Sequence, residues 1–156
     1  MGWVGYGAFA GCSGLTSVHA SSLLGWCYII FKSANSNPLY YAKHLYVDGQ
    51  EITDLVIPGS ITSIRSCAFY GCTGITSVTI PNSVTDLESC AFGGVDVPKI
   101  ISLIEEPYPI AGKTSYSKAF TQNTFINATL YVPKGTIEKY RATEGWKDFV
   151  FIEISD

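Results

Sequence analysis

Charge is what this sequence has least of. Residues 1–31 hold no Asp, Glu, Lys or Arg. Charged residues make up 15% of the 156-residue chain, against about 25% in typical proteins. The net charge of −3 and the pI near 5.3 leave no basic stripe to meet a phosphate backbone, so nucleic acid is excluded as a partner. The uncharged start is still not a secretory leader, because it lacks a basic opening and Gly, Ser, Thr and Cys interrupt it throughout. No stretch reaches the roughly 20 apolar residues that cross a bilayer, so no membrane insertion is expected.

Catalytic and metal-binding sets are also missing. The two histidines, His19 and His44, lie in different segments, and neither has a paired nucleophile. Glu105 and Glu106 are adjacent, and adjacent residues in an extended chain point to opposite sides. Gly11-Cys12-Ser13-Gly14 lacks the Lys-Ser/Thr and the following helix of a phosphate loop. Cys67 and Cys72 have no second pair or histidine to complete a zinc site. The expectation is no enzyme, no cofactor and no metal.

What the chain does have is repetition. Ala8-Phe9-Ala10-Gly11-Cys12-Ser13-Gly14-Leu15-Thr16-Ser17-Val18 returns as Ala68-Phe69-Tyr70-Gly71-Cys72-Thr73-Gly74-Ile75-Thr76-Ser77-Val78, and a third copy opens at Ala91-Phe92-Gly93-Gly94. Ala68 to Ala91 is an offset of 23 residues. At the same offset Val56-Ile57-Pro58-Gly59-Ser60 lies over Thr79-Ile80-Pro81-Asn82-Ser83, and Ser66-Cys67-Ala68-Phe69 over Ser89-Cys90-Ala91-Phe92. One coil further on, Ile101-Ser102-Leu103 lies over Val78-Thr79-Ile80. A fixed period in this range marks a solenoid, whose coils stack into one continuous core.

Each coil reads physically. Ile75-x-x-Val78-x-Ile80 alternates with Thr and Ser as a half-buried strand does. Pro81 lacks a ladder donor and ends the pairing, Asn82-Ser83 makes the corner, and Val84-x-x-Leu87 turns inward again. Parallel strands of successive coils sit about 4.8 Å apart, so each residue stacks on its equivalent.

The Ala-Phe-x-Gly-Cys and Ile-Pro-x-Ser-[Ile/Val]-Thr segments resemble the BspA-like (Treponema pallidum type) leucine-rich repeats of bacterial surface proteins. The likeness continues through Asn37-Pro38-Leu39-Tyr40-Tyr41-Ala42 and into Ala128-Thr129-Leu130-Tyr131-Val132-Pro133. The resemblance implies a mainly β leucine-rich-repeat solenoid of about 23-residue coils. It also implies a cell-surface or secreted, extracellular protein that sticks to other proteins, often in host-associated bacteria. Since the first copy opens in mid-coil, the chain is expected to be a piece of a longer protein, with any export signal lost.

One domain is expected over 1–156. Residues 1–20 read as a partial first repeat, 21–51 as an insertion with a hairpin, 52–104 as regular repeats and 105–156 as a C-terminal cap with one helix. Val18 and Leu55 are taken as equivalent strand positions, 37 residues apart. Within the insertion Trp26–Phe31 reads as a buried strand, and Asp48-Gly49 between apolar flanks signals a type I′ hairpin. That hairpin either carries binding or merely extends the sheet. After the prolines at 107 and 109 the chain through Phe125 reads as an extended connection. Thr136 starts a helix, and Phe149–Ile154 reads as a final strand.

Cys67 and Cys90 share a consensus position in adjacent coils, with Cα atoms near 5 Å, inside disulfide reach. The favoured reading is stacked free thiols acting as small hydrophobes. Two functional readings follow. The first is a protein-interaction module, which family analogy makes an adhesin for host or matrix proteins. Its face presents Ser17, His19, Asp54, Ser77 and Thr79, with Tyr40, Tyr41 and Tyr46 as aromatic anchors in the insertion. The second is a glycan-binding or spacer component of the cell envelope.

Overall fold

Phe69, Phe92 and Phe120 stand one above the next, with ring centroids 5.5 and 5.2 Å apart and planes within 10° of parallel. All three are fully buried. Each belongs to an Ala-Phe pair at the same place in a successive turn of chain, so a small residue makes room for the ring that lands on its equivalent. The computed structural model describes residues 2–156 and is a stack of such turns.

The first turns contain β1 (Trp3–Val4), β2 (Val18–Ala20), α1 (Leu23–Cys27), β3 (Ile30–Phe31), α2 (Leu39–Ala42), β4 (Leu45–Val47) and β5 (Gln50–Glu51). The middle turns supply β6 (Asp54–Val56), β7 (Ser63–Ile64), β8 (Ser77–Ile80), β9 (Asp86–Leu87) and β10 (Lys99–Ser102). The last contain α3 (Gln122–Asn127), β11 (Thr129–Val132), α4 (Ile137–Ala142) and β12 (Phe151–Ile154).

Strands β6, β8, β10, β11 and β12 form one parallel sheet in that spatial order. Its inward column runs Leu55, Val78, Ile100, Leu130, Ile152, and all five are buried. A second sheet joins β2 parallel to β4, with β5 antiparallel beside it. Val47 faces Gln50 there, and Asp48 (φ 51°) and Gly49 (φ 75°) both take the left-handed conformation of a type I′ turn. On the return limbs β1 pairs with β3, and β7 with β9.

Several expectations are corrected. Trp26–Phe31 is not a strand. Ser22 caps α1 by accepting the Gly25 N–H at 2.9 Å, and Trp26 donates its indole N–H to the Ala68 carbonyl at 2.9 Å. That tertiary bond fixes a helical turn, and only Ile30–Phe31 remains extended. Val18 pairs with Leu45 rather than standing in for Leu55, an offset of 27. The connection after Pro109 ends in α3, capped by Thr121 accepting the Thr124 N–H at 3.1 Å. The 105–156 segment therefore contains two α-helices instead of one, and its strands β11 and β12 extend the same parallel sheet.

The most consequential correction is a register. Ile101 pairs with Thr79, and Ile100 with Val78, so β8 to β10 is an offset of 22 residues rather than 23. Because side chains alternate along a strand, one residue fewer turns the whole strand over. Ile101 and Leu103 face out, while Ser102 enters the core. The buried Ser102 hydroxyl is satisfied there, lying 2.6 Å from the Tyr140 hydroxyl, which donates to the Ile104 carbonyl at 2.7 Å.

The two ends of the stack differ. At the last coil Tyr140, Trp146 and Phe149 are buried, with the Tyr140 and Trp146 rings edge to face at 5.3 Å. Gly145 is required beneath them, since a Cβ there would lie 2.1 Å from the Ile110 carbonyl oxygen. At the first coil the same consensus residues lie open. Cys12 is exposed and Phe9 half-exposed, whereas their equivalents Cys72 and Phe69 are fully buried.

Candidate interaction face

The outer face of the five-stranded sheet is built from the residues that alternate with the buried column. One row runs Asp54, Ser77, Lys99, Thr129, Phe151, and the next runs Val56, Thr79, Ile101, Tyr131, Glu153. Three expected face residues, Asp54, Ser77 and Thr79, stand here together. Asp54 and Ser77 are direct register partners, and the Ser77 hydroxyl donates to the Asp54 carboxylate.

Ser17, His19 and Tyr46 belong to the β2–β4–β5 part of the molecule. The His19 and Tyr46 rings are register partners and stack at 4.8 Å with 15° between planes. Ser17 Oγ lies 3.2 Å from His19 Nε2. Tyr40 and Tyr41 are elsewhere, on α2. Tyr40 packs its ring on Tyr70 at 5.7 Å, and the Tyr41 hydroxyl accepts the Gly11 N–H at 2.8 Å, tying down the first coil. Both residues remain half-exposed.

The other half of the face is apolar. Ile101 and Tyr131 are register neighbours and half-exposed, Leu103 is 42% exposed and Phe151 is 51% exposed. The Lys99 ammonium sits over the Tyr131 ring, 5.3 Å from its centroid. With Ser155 and Asp156, the residues Lys99, Ile101, Leu103 and Tyr131 line an open hollow of about 350 Å³. The half-exposed Tyr131 ring thus lies between Ile101 and Glu153, with Lys99 above it.

Among the described residues another titratable cluster lies at Cys72. Cys72 lies near the His44–Glu51 pair (Nδ1 to Oε1 2.5 Å), but burial pushes its thiol up to about 12, which keeps it protonated. Among the described residues no group of three or more His, Cys, Asp or Glu side chains could hold a metal ion. No helix among them is long and apolar enough to cross a membrane.

The BspA type leucine-rich-repeat region, in six copies, matches residues 42–140, which is 99 of 156 residues. The chain belongs to this family. The BspA-type match runs from the end of α2 into α4, taking in residues 42–51 of the 21–51 segment and 105–140 of the 105–156 segment. No curated protein and no solved structure matches the chain. The outward strand positions of these coils point away from the shared core. Ile101 and Tyr131 occupy two such positions. A comparison of Thr129-Leu130-Tyr131-Val132 with Ser77-Val78-Thr79-Ile80 would have placed Tyr131 there.

Proposed function

We propose that this chain is a protein-interaction module of a bacterial cell-surface or secreted protein, adhering to host or matrix proteins through the outer face of its five-stranded sheet. The observation that carries the reading is the Ile101–Leu103–Tyr131–Phe151 patch, in which the β8–β10 register turns Ile101 and Leu103 outward and the next two strands set Tyr131 and Phe151 on the same face. Asp54, Ser77 and Thr79 extend the face as its polar flank. Large apolar groups at solvent positions on a rigid sheet supply contact area with little side-chain entropy left to lose. The segments 1–20, 21–51, 52–104 and 105–156 act in this reading as one domain, with about 23-residue coils as its unit and the hairpin at Asp48-Gly49 as a local addition.

The glycan-binding alternative draws on the exposed His19 ring stacked on Tyr46 beside an open hollow lined by Ser21, Ser22 and Gly25. The purified chain should be presented to immobilised fibronectin, fibrinogen, collagen and laminin and, in parallel, to a glycan array. Saturable capture by a protein supports adhesion. Glycan binding with no protein capture supports the alternative, and silence on both overturns the adhesion reading in favour of a spacer.

A further inference from the structure

Cys67 and Cys90 fill the same place in adjacent coils, directly before the stacked Ala-Phe pairs. The Cys67 N–H donates to the Ser89 carbonyl at 3.4 Å and the Phe69 N–H to the Ala91 carbonyl at 2.9 Å, which sets the two cysteines side by side in a parallel pairing. One residue earlier the Ser66 and Ser89 hydroxyls are 3.3 Å apart. Paired parallel backbones lie about 4.8 Å apart, within the roughly 4.4–6.8 Å that separates the Cα atoms of disulfides.

Both residues are left-handed, with φ of 58° and 56°, so their side chains leave the backbone in the same direction. Left-handed non-glycine residues are uncommon, and cysteine is not among the types that favour this conformation. Burial raises the Cys67 thiol to about 11, and the neighbouring Cys90 adds to the rise. Cys90 is half-exposed at the rim of an open hollow with Gly93, Gly94 and Lys118, whereas Cys67 is buried. In the following coil Lys118 takes the place, its carbonyl accepting the Cys90 N–H at 3.1 Å, so the thiol column stops at two.

We infer that Cys67 and Cys90 are a dithiol built to close into an inter-coil disulfide when the protein meets a disulfide oxidant. The accessible Cys90 thiolate attacks a sulfur of the oxidant, expelling one oxidant thiolate and leaving a mixed disulfide on Cys90. Cys67 then gives up its proton, and its thiolate attacks the Cys90 sulfur and releases the second oxidant thiolate. Two cysteine thiols are oxidised to one disulfide, and one oxidant disulfide is reduced to two thiols. The bond joins two cysteines 23 positions apart, at 67 and 90, and clips one coil of the solenoid to the next.

The test uses the full chain and oxidised glutathione. After oxidation the protein is unfolded, its remaining thiols are alkylated, and it is cleaved after glutamates. Cleavage at Glu88 separates fragment 52–88, holding Cys67 and Cys72, from fragment 89–105, holding Cys90. The expected result is that the two fragments stay joined until reductant is added and that alkylated thiols fall from five to three. The melting temperature should rise on oxidation and return on reduction. The link should persist in Cys72→Ser and vanish in both Cys67→Ser and Cys90→Ser, whose melting checks that they fold. Separate fragments with all five thiols alkylated, or a link that survives Cys67→Ser, would overturn the inference.

Discussion

Ile101 lies beside Thr79 across the β8–β10 ladder, although the period of the repeat puts it beside Val78. That displacement of one residue is what places aliphatic groups on the solvent side of the sheet. Replacing Ile101 and Tyr131 with Ser should shift stability by only about 0.5 kcal/mol per site, as surface changes do. Thermal melting of the double variant checks this, and a large loss would make the patch part of the core.

The phenylalanine column gives a contrast between equivalent residues. Phe92 is enclosed between Phe69 and Phe120, so Phe92→Ala should cost about 3–5 kcal/mol. Phe9, half-exposed on the open first coil, should cost about 1 kcal/mol or less on the same change. Equal losses in denaturant titrations would mean that the first coil is covered in solution.

The cysteines report the same asymmetry chemically. Cys12 is exposed, while its repeat equivalent Cys72 is buried with its thiol held near 12. A thiol reagent applied to the native protein should label Cys12 promptly and leave Cys72 unlabelled until the chain unfolds. Peptide mapping after a timed pulse distinguishes them, and comparable labelling of both would contradict the burial.

Glu88 makes stability depend on acid. Burial alone would raise its pKa, but its carboxylate accepts the Ser66 N–H at 2.8 Å, the Arg65 guanidinium at 3.0 Å and the Ser63 hydroxyl at 3.1 Å, and the balance lies below the usual carboxylate value. A depressed pKa means that the unfolded chain binds the proton first as pH falls. The stabilisation is therefore complete above the unfolded carboxylate pKa, near 4.3, and is lost as pH drops through the lower folded value. Glu88→Gln should remove this acid-side slope and cost about 1–3 kcal/mol at neutral pH. Unfolding free energies measured from pH 7 downward would show it, and an unchanged slope in the variant would contradict the assignment.

How much of this was legible in the sequence depended on repetition. The coils between Val56 and Phe92 could be read because two copies agree residue by residue. Ser117-Lys118-Ala119-Phe120 is a further copy of Ser89-Cys90-Ala91-Phe92, but the change to Lys118 and an offset of 28 residues from Phe92 to Phe120 obscured it. The helix at Leu23–Cys27 was illegible for another reason. An apolar run suits a strand or a buried helix equally, and the partner that decides between them, the Ala68 carbonyl, is 42 residues away. The face was half legible: Asp54, Ser77 and Thr79 followed from alternation, whereas Ile101 depended on a register that only pairing fixes. Aromatic content alone did not reveal that Tyr40 packs on Tyr70 or that the Tyr41 hydroxyl holds the Gly11 N–H.

The measurement that tests the central claim most directly is saturable binding to the matrix-protein panel by the native chain and by the Ile101→Ser/Tyr131→Ser chain, each at matched folding. The expected result is capture of the native chain by a protein ligand and loss of that capture in the double variant at unchanged melting temperature. Capture that the double variant retains in full, or no capture of the native chain at all, would contradict adhesion through this face.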